Sequence, residues 1–241
     1  MTDSTGNHQK NDHARVLVTD GSYEDLRPAL DDTIEKLGLE SWFKGLRGKK
    51  VFIKPNMLGL FQVEQHATTH PALVREVVRL MREAGAEVTV GDNCGVGGYT
   101  LSNRVAKMTG ILEAADGSFE NVARDTVKVD LNSKYLDSIV VSRAMLEADV
   151  LVSLPKMKTH GLTVITCGVK NMFGLVSGAG KGRAHASAPG IKDFGRILAD
   201  IYSIRPPDLT IMDGVTAMEG SGPSSGKPKK LGKIMASTNA V

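Results

Sequence analysis

Asp149-Val-Leu-Val-Ser-Leu-Pro-Lys-Met-Lys-Thr-His-Gly161 is an apolar run that stops at proline and hands over to a cationic tail. Residues 149–154 are short, β-branched and nearly free of polar side chains, the pattern of a parallel strand covered on both faces. Pro155 ends that strand. In an open α/β sheet the crevice beyond the carboxyl ends of the strands is where ligands bind, and here it would receive Lys156, Lys158 and His160. No carboxylate occurs between Asp149 and Asp193, while Lys170, Lys181, Arg183, His185 and Lys192 carry the positive charge on through a glycine-rich stretch. Charge without counter-charge at a strand end points to an anion, against the plainer alternative of a solvated loop face. Gly161 to Gly174 is expected to form a helix whose amino end aims N–H groups at the same space.

Working outward, strands are expected at Arg15–Thr19, Lys50–Pro55, Glu87–Asp92, Asp208–Met212 and Lys233–Ser237, and helices at Tyr23–Leu39, His70–Ala84, Leu101–Met108 and Ile191–Ile204. The segment from His70 is the clearest helix: Leu73, Val77, Leu80 and Met81 make its apolar stripe, Pro71 suits the first turn and Gly85 stops it. Thr126–Leu131 and Ser138–Ser142 read as a small β-hairpin insertion. Strand–helix alternation therefore predicts an α/β fold, a mostly parallel Rossmann-like sheet flanked by helices. The expected organisation is a disordered polar leader over residues 1–13 and one α/β domain over 14–241. That domain is expected to be truncated at its carboxyl end, because Ser237-Thr-Asn-Ala-Val241 stops where a helix should follow.

Composition narrows the function. With 41% hydrophobic and 24% charged residues, and no apolar run near the length that spans a bilayer, the chain reads as soluble and cytoplasmic, without membrane insertion. A net charge of +3 and 5% aromatic residues argue against a nucleic-acid partner. Two cysteines, Cys94 and Cys167, cannot make an iron–sulfur cluster from this chain alone.

Three strand ends share one character: Lys54-Pro-Asn56, Asp92-Asn93-Cys94 and Pro155-Lys-Met-Lys158. Lys54, Asn56 and Asn93 join Lys156, Lys158, Asn171, Lys181 and Arg183 as candidate ligand-binding residues, on the condition that these ends meet on one rim. Lys54 also reads as an edge lysine, and the asparagines as turn residues. Asp213, after the strand at 208–212, would add a carboxylate to the rim or simply make an Asp-Gly turn. Gly220-Ser-Gly-Pro-Ser-Ser-Gly-Lys227 fails as a phosphate loop, since Ser221 and Pro228 stand where the motif needs Gly and Ser or Thr.

The stretches Phe52-Ile-Lys-Pro-Asn56, Thr68-Thr-His-Pro71, Lys156-Met-Lys-Thr-His-Gly161 and Val169-Lys-Asn-Met-Phe-Gly174 together resemble the family of domain of unknown function 362. Some relatives carry an iron–sulfur module, and this chain has no matching cysteine run. More distantly, the order of residues is similar to the amino-terminal domain of nickel-pincer lactate racemases. That resemblance implies catalytic roles for His160 and Lys170, with Lys170 attaching a metal–organic cofactor and His185 ligating the metal. Cys94 stands near the place of a second catalytic histidine, so a two-base racemase is not implied.

The expected function is an enzyme that binds an anionic small molecule, a carboxylate or phosphorylated compound, with redox or isomerase chemistry and His160 transferring a proton. The alternative is a non-catalytic anion or cofactor-binding module that works with a redox partner or a carboxyl-terminal iron–sulfur part. Oligomeric state is not legible.

Overall fold

Apolar residues alternate between the two faces of each central strand, and this dictates three layers. In the computed structural model, which describes residues 15–95 and 98–241, the strands are β1 (Leu17–Asp20), β2 (Lys50–Pro55), β3 (Glu87–Val90), β4 (Thr126–Asp130), β5 (Ser138–Ser142), β6 (Val150–Leu154), β7 (Lys156–His160), β8 (Val164–Thr166), β9 (Leu209–Glu219) and β10 (Lys227–Ser237). The helices are α1 (Arg27–Leu37), α2 (Glu40–Lys44), α3 (Pro71–Glu83), α4 (Gly98–Met108), α5 (Ile111–Ala114), α6 (Arg143–Glu147), α7 (Gly168–Asn171), α8 (Gly180–Ala186) and α9 (Ile191–Ile204). The expected leader lies outside the described residues.

Eight strands form one sheet in the order β1-β10-β9-β6-β2-β3, with β7 paired to the far half of β9 and β8 folded back on β7. The centre is parallel: β2 pairs with β3 and β6, and β6 with β9. β10 runs antiparallel to β9, and β1 antiparallel to β10. Val51, Ile53, Val150 and Val152 pack on one face with α1 and α3, whereas Phe52 and Leu151 pack on the other with α9 and the β5 strand. Six side chains of α3 are buried, including Leu73, Val77 and Met81, each stabilising the fold by roughly 1.5–3 kcal/mol. The start of α3 is capped by His70, whose Nδ1 accepts from the Ala72 N–H at 3.2 Å, with Pro71 in the first turn. The expected hairpin is present as β4 and β5, a separate two-stranded sheet.

Three local expectations are corrected. Gly161–Gly174 is not one helix: β-branched residues 163–166 supply the short β8, and the four-residue α7 is followed by a tight turn at Met172–Leu175. Pro155 does not release the chain into a loop, because Lys156–His160 pairs at once along β9, with Lys156 opposite Asp213. Asp213 is therefore no turn residue; β9 runs on through it for eleven residues. The apolar patterns of β6 and β9 revealed where each strand began. What prolonged them was pairing between segments distant in sequence.

Candidate functional site

Parallel strands place their carboxyl ends on a common rim, so the polar residues after β2 and β3 and those on β7 converge as expected. At the end of β2, Lys54 is fully buried and ion-paired to Asp92, Nζ to Oδ1 2.8 Å. The other carboxylate oxygen of Asp92 accepts from the Met57 N–H at 2.9 Å. Burial lowers the Lys54 pKa, and Asp92 opposes that shift. Gly174 makes the approach of these groups feasible, since a Cβ there would fall on the Asp92 carboxylate and 2.6 Å from Lys54 Nζ.

Above this pair opens a cleft of about 280 Å3, lined by Asn56, Asp92, Asn93, Lys158, His160, Lys170, Asn171, Lys181 and His185. Asn171 of α7 donates to Ser153 Oγ at 2.9 Å and to the Lys54 carbonyl at 3.3 Å, and its Oδ1 accepts from Asn56 Nδ2 at 3.2 Å. Asn56 Oδ1 in turn accepts from Lys158 Nζ at 3.2 Å, and Lys158 also donates to the Ala67 carbonyl. On the opposite wall Lys181 donates to the carbonyls of Asn93 and Cys94, the latter at 3.0 Å. Asn93 Nδ2 donates to Ser142 Oγ at 2.7 Å and to the Gly174 carbonyl at 3.0 Å. The amide network thus fixes the walls before any ligand arrives.

No carboxylate lies within ion-pair distance of Lys158, Lys170 or Lys181 among the described residues. Lys170 has no hydrogen-bond partner there at all. Desolvation, followed by the neighbouring lysines, lowers Lys158 to about 7 and Lys170 to about 8. Desolvation also brings Lys181 to about 8, against the pull of Asp92. Two buried oxygens that line the cleft, Asn93 Oδ1 and Thr166 Oγ1, are without partners. Buried polar atoms seldom remain so.

The histidines divide. His160 Nδ1 accepts from the backbone N–H groups of Leu162 and Thr163 at 3.1 and 3.3 Å. In the neutral ring Nε2 must then carry the proton. Desolvation and Lys170 hold His160 at about 4, so it is a fixed N–H donor near neutrality. His185 stacks on Phe194, ring centroids 4.2 Å apart, at the exposed mouth.

Not every candidate reaches the cleft. Lys156 and Asp213 are fully buried in a separate ion pair at 2.8 Å, to which Tyr23 adds its hydroxyl, 2.7 Å from Asp213 Oδ1. The His70 N–H donates to the same carboxylate at 2.9 Å, and the His70 ring stacks on Tyr23 at 3.6 Å. Their charges cancel within the protein. Arg183 donates to the Ser138 carbonyl and does not line the cleft. Sequence reading did not select Asp92, Gly174 or Tyr23. Asp92 carried a signal as the first residue of the strand end Asp92-Asn93-Cys94, and Gly174 as the last residue of Val169-Lys-Asn-Met-Phe-Gly174.

A metal ion does not fit this donor set. Among the described residues no three His, Cys, Asp or Glu side chains gather as ligands. His160 has Nδ1 engaged by the backbone, and ammonium groups line the same space as His185. Neither Cys94 nor Cys167 forms a disulfide among the described residues.

Comparison with solved structures gives the fold. The lactate racemase apoprotein from Thermoanaerobacterium thermosaccharolyticum superposes with a TM-score of 0.56 at 14% identity, over 93% of this chain and 54% of that one. A protein from Thermotoga maritima superposes with a TM-score of 0.50 at 14% identity, over 92% and 57%. The chain spans about half the length of these structures. Among curated proteins, a thylakoid-associated protein of Synechocystis is 34% identical over 230 residues, which is 92% of this chain and 69% of that protein. No helix among the described residues is long and apolar enough to cross a membrane. The model of domain of unknown function 362 matches residues 51–241, and with the Synechocystis relative this shows that the chain belongs to that family.

Proposed function

We propose that the strand-end cleft binds a small organic anion bearing a carboxylate or phosphate. One observation carries this reading: Lys158, Lys170 and Lys181 line a cleft where the one carboxylate among the described lining residues, Asp92, is paired to Lys54. Holding ammonium groups together in a partly desolvated space is unfavourable until an anion joins them. The partnerless Asn93 Oδ1 and Thr166 Oγ1 support a ligand that also brings a hydroxyl or other donor. His160 supplies an N–H on the same wall. About 280 Å3 suits a small acid better than a dinucleotide.

Titration calorimetry with phosphate, citrate and 2-oxoglutarate tests the reading. At least one should bind saturably, more weakly in high salt, and Lys158→Met should weaken it roughly 10- to 100-fold, the worth of a charge-assisted hydrogen bond of about 1.5–3 kcal/mol. Absence of saturable binding by all three at millimolar concentration would end the proposal.

A further inference from the structure

Lysines that merely neutralise an anion and lysines that attack one differ in how the protein holds them. Lys158 is held by Asn56 Oδ1 and the Ala67 carbonyl, and Lys181 by two backbone carbonyls, so both ammonium groups are fixed. Lys170, on α7 next to Asn171 in sequence, is held by no oxygen among the described residues and lines the same cleft. We propose that Lys170 is a nucleophile that forms an imine with a small 2-oxo acid. The proposal rests on the anion reading: Lys158 and Lys181 receive the carboxylate and leave the carbonyl carbon to Lys170.

Its surroundings suit that role. A lysine titrating at about 8, lowered by burial and by Lys181 and Lys54, is neutral in roughly one molecule in four at pH 7.5, against about one in a thousand for an ordinary lysine. The neutral Nζ adds its lone pair to the carbonyl carbon. A C–N bond forms, the carbonyl π pair moves to oxygen, and that oxygen takes a proton released from Nζ, giving a carbinolamine. Loss of the oxygen as water, with the second Nζ proton, leaves the imine. No oxidant, reductant or second reactant is required. The His160 N–H, lining the same cleft, can bond the oxygen as charge builds on it, and Asn93 Oδ1, without a partner, can accept from the carbinolamine hydroxyl.

The test is reductive trapping. The chain is incubated with 2-oxoglutarate or pyruvate and sodium cyanoborohydride, then examined by intact mass and peptide mapping. Glutarate, which lacks the carbonyl, serves as the binding control. One adduct is expected, on Lys170, forming faster as pH rises toward about 8 at ligand concentrations that keep the site saturated, suppressed by glutarate and lost in Lys170→Arg. Saturable binding of 2-oxoglutarate without a Lys170 adduct would overturn the imine and leave the anion site standing. No binding of 2-oxoglutarate, glutarate or phosphate would overturn both. Adducts scattered over exposed lysines, equal in Lys170→Arg, would also overturn it. Should the variant fail to fold, the wild-type peptide map and its glutarate competition still decide.

Discussion

Replacing Lys170 with methionine should make the unliganded protein more stable. The side chains have similar lengths, and Lys170 gives up no hydrogen bond or ion pair among the described residues. What disappears is a charge held in a partly desolvated space beside Lys181 and Lys54. A group that titrates at 10.5 when exposed and at about 8 in the fold is disfavoured, when charged, by at most about 3.5 kcal/mol, taking ~1.4 kcal/mol per pH unit. The open side of the cleft screens part of this, so about 2 kcal/mol is a reasonable gain, or about 4–8 °C in Tm for a chain of this size. The sign follows from proton uptake. Between about 8 and 10.5 the unfolded chain binds more protons at this lysine than the folded one, so stability rises with pH there. The penalty is complete below about 8 and fades toward 10.5. Urea unfolding of wild type and Lys170→Met from pH 7 to pH 10 should show the largest difference at pH 7 and a narrowing gap above pH 8. A variant less stable at pH 7, or a gap independent of pH, would refute the claim that this amine is held charged without compensation.

Other perturbations separate structural charge from site charge. Asp213→Asn leaves Lys156 buried without its counter-ion and should cost about 3–5 kcal/mol by urea unfolding, while Lys156→Met with Asp213→Leu together should cost less. Gly174→Ala forces apart Asp92 and Lys54, and both Tm and phosphate affinity should fall; an unchanged affinity would show that the ion pair does not shape the cleft. Anion affinity should decline as pH rises past about 7 to 8, where Lys158, Lys170 and Lys181 lose their protons. His160, held at about 4, should contribute no step near 6.5, which its proton chemical shifts can check.

Much of the frame was legible because burial leaves a periodic mark. β2 and α9 match the expected ranges, and α3 differs by one residue at each end. The rim was legible too, since parallel pairing sets Lys54 beside Ser153 and brings the end of β3, with Asp92 just past it, next to the end of β2. Illegible were the features fixed by partners far away in sequence. Lys156–His160 looked like a loop because proline usually ends a strand, yet β9 offered a second half to pair with. The stretch 161–174 looked helical by length, but β-branched residues 163–166 favoured the return strand β8. Asp213 looked like a turn because its opposite neighbour, Lys156, was hidden in that supposed loop.

Lys156 and Lys158 show why charge alone could not define the site. They sit two residues apart on β7, are both buried, and in the sequence are interchangeable members of one cationic run. Lys156 meets Asp213 and the Tyr23 hydroxyl, so its charge is cancelled and its role is to lock β7 to β9 and to the loop before α1. Lys158 meets only neutral oxygens, which orient an ammonium without cancelling its charge. The surplus positive charge that reaches the cleft is thus carried by lysines bound to amides and carbonyls, or, in Lys170, to nothing among the described residues. An anion completes the first kind, and an electrophilic carbon suits the last.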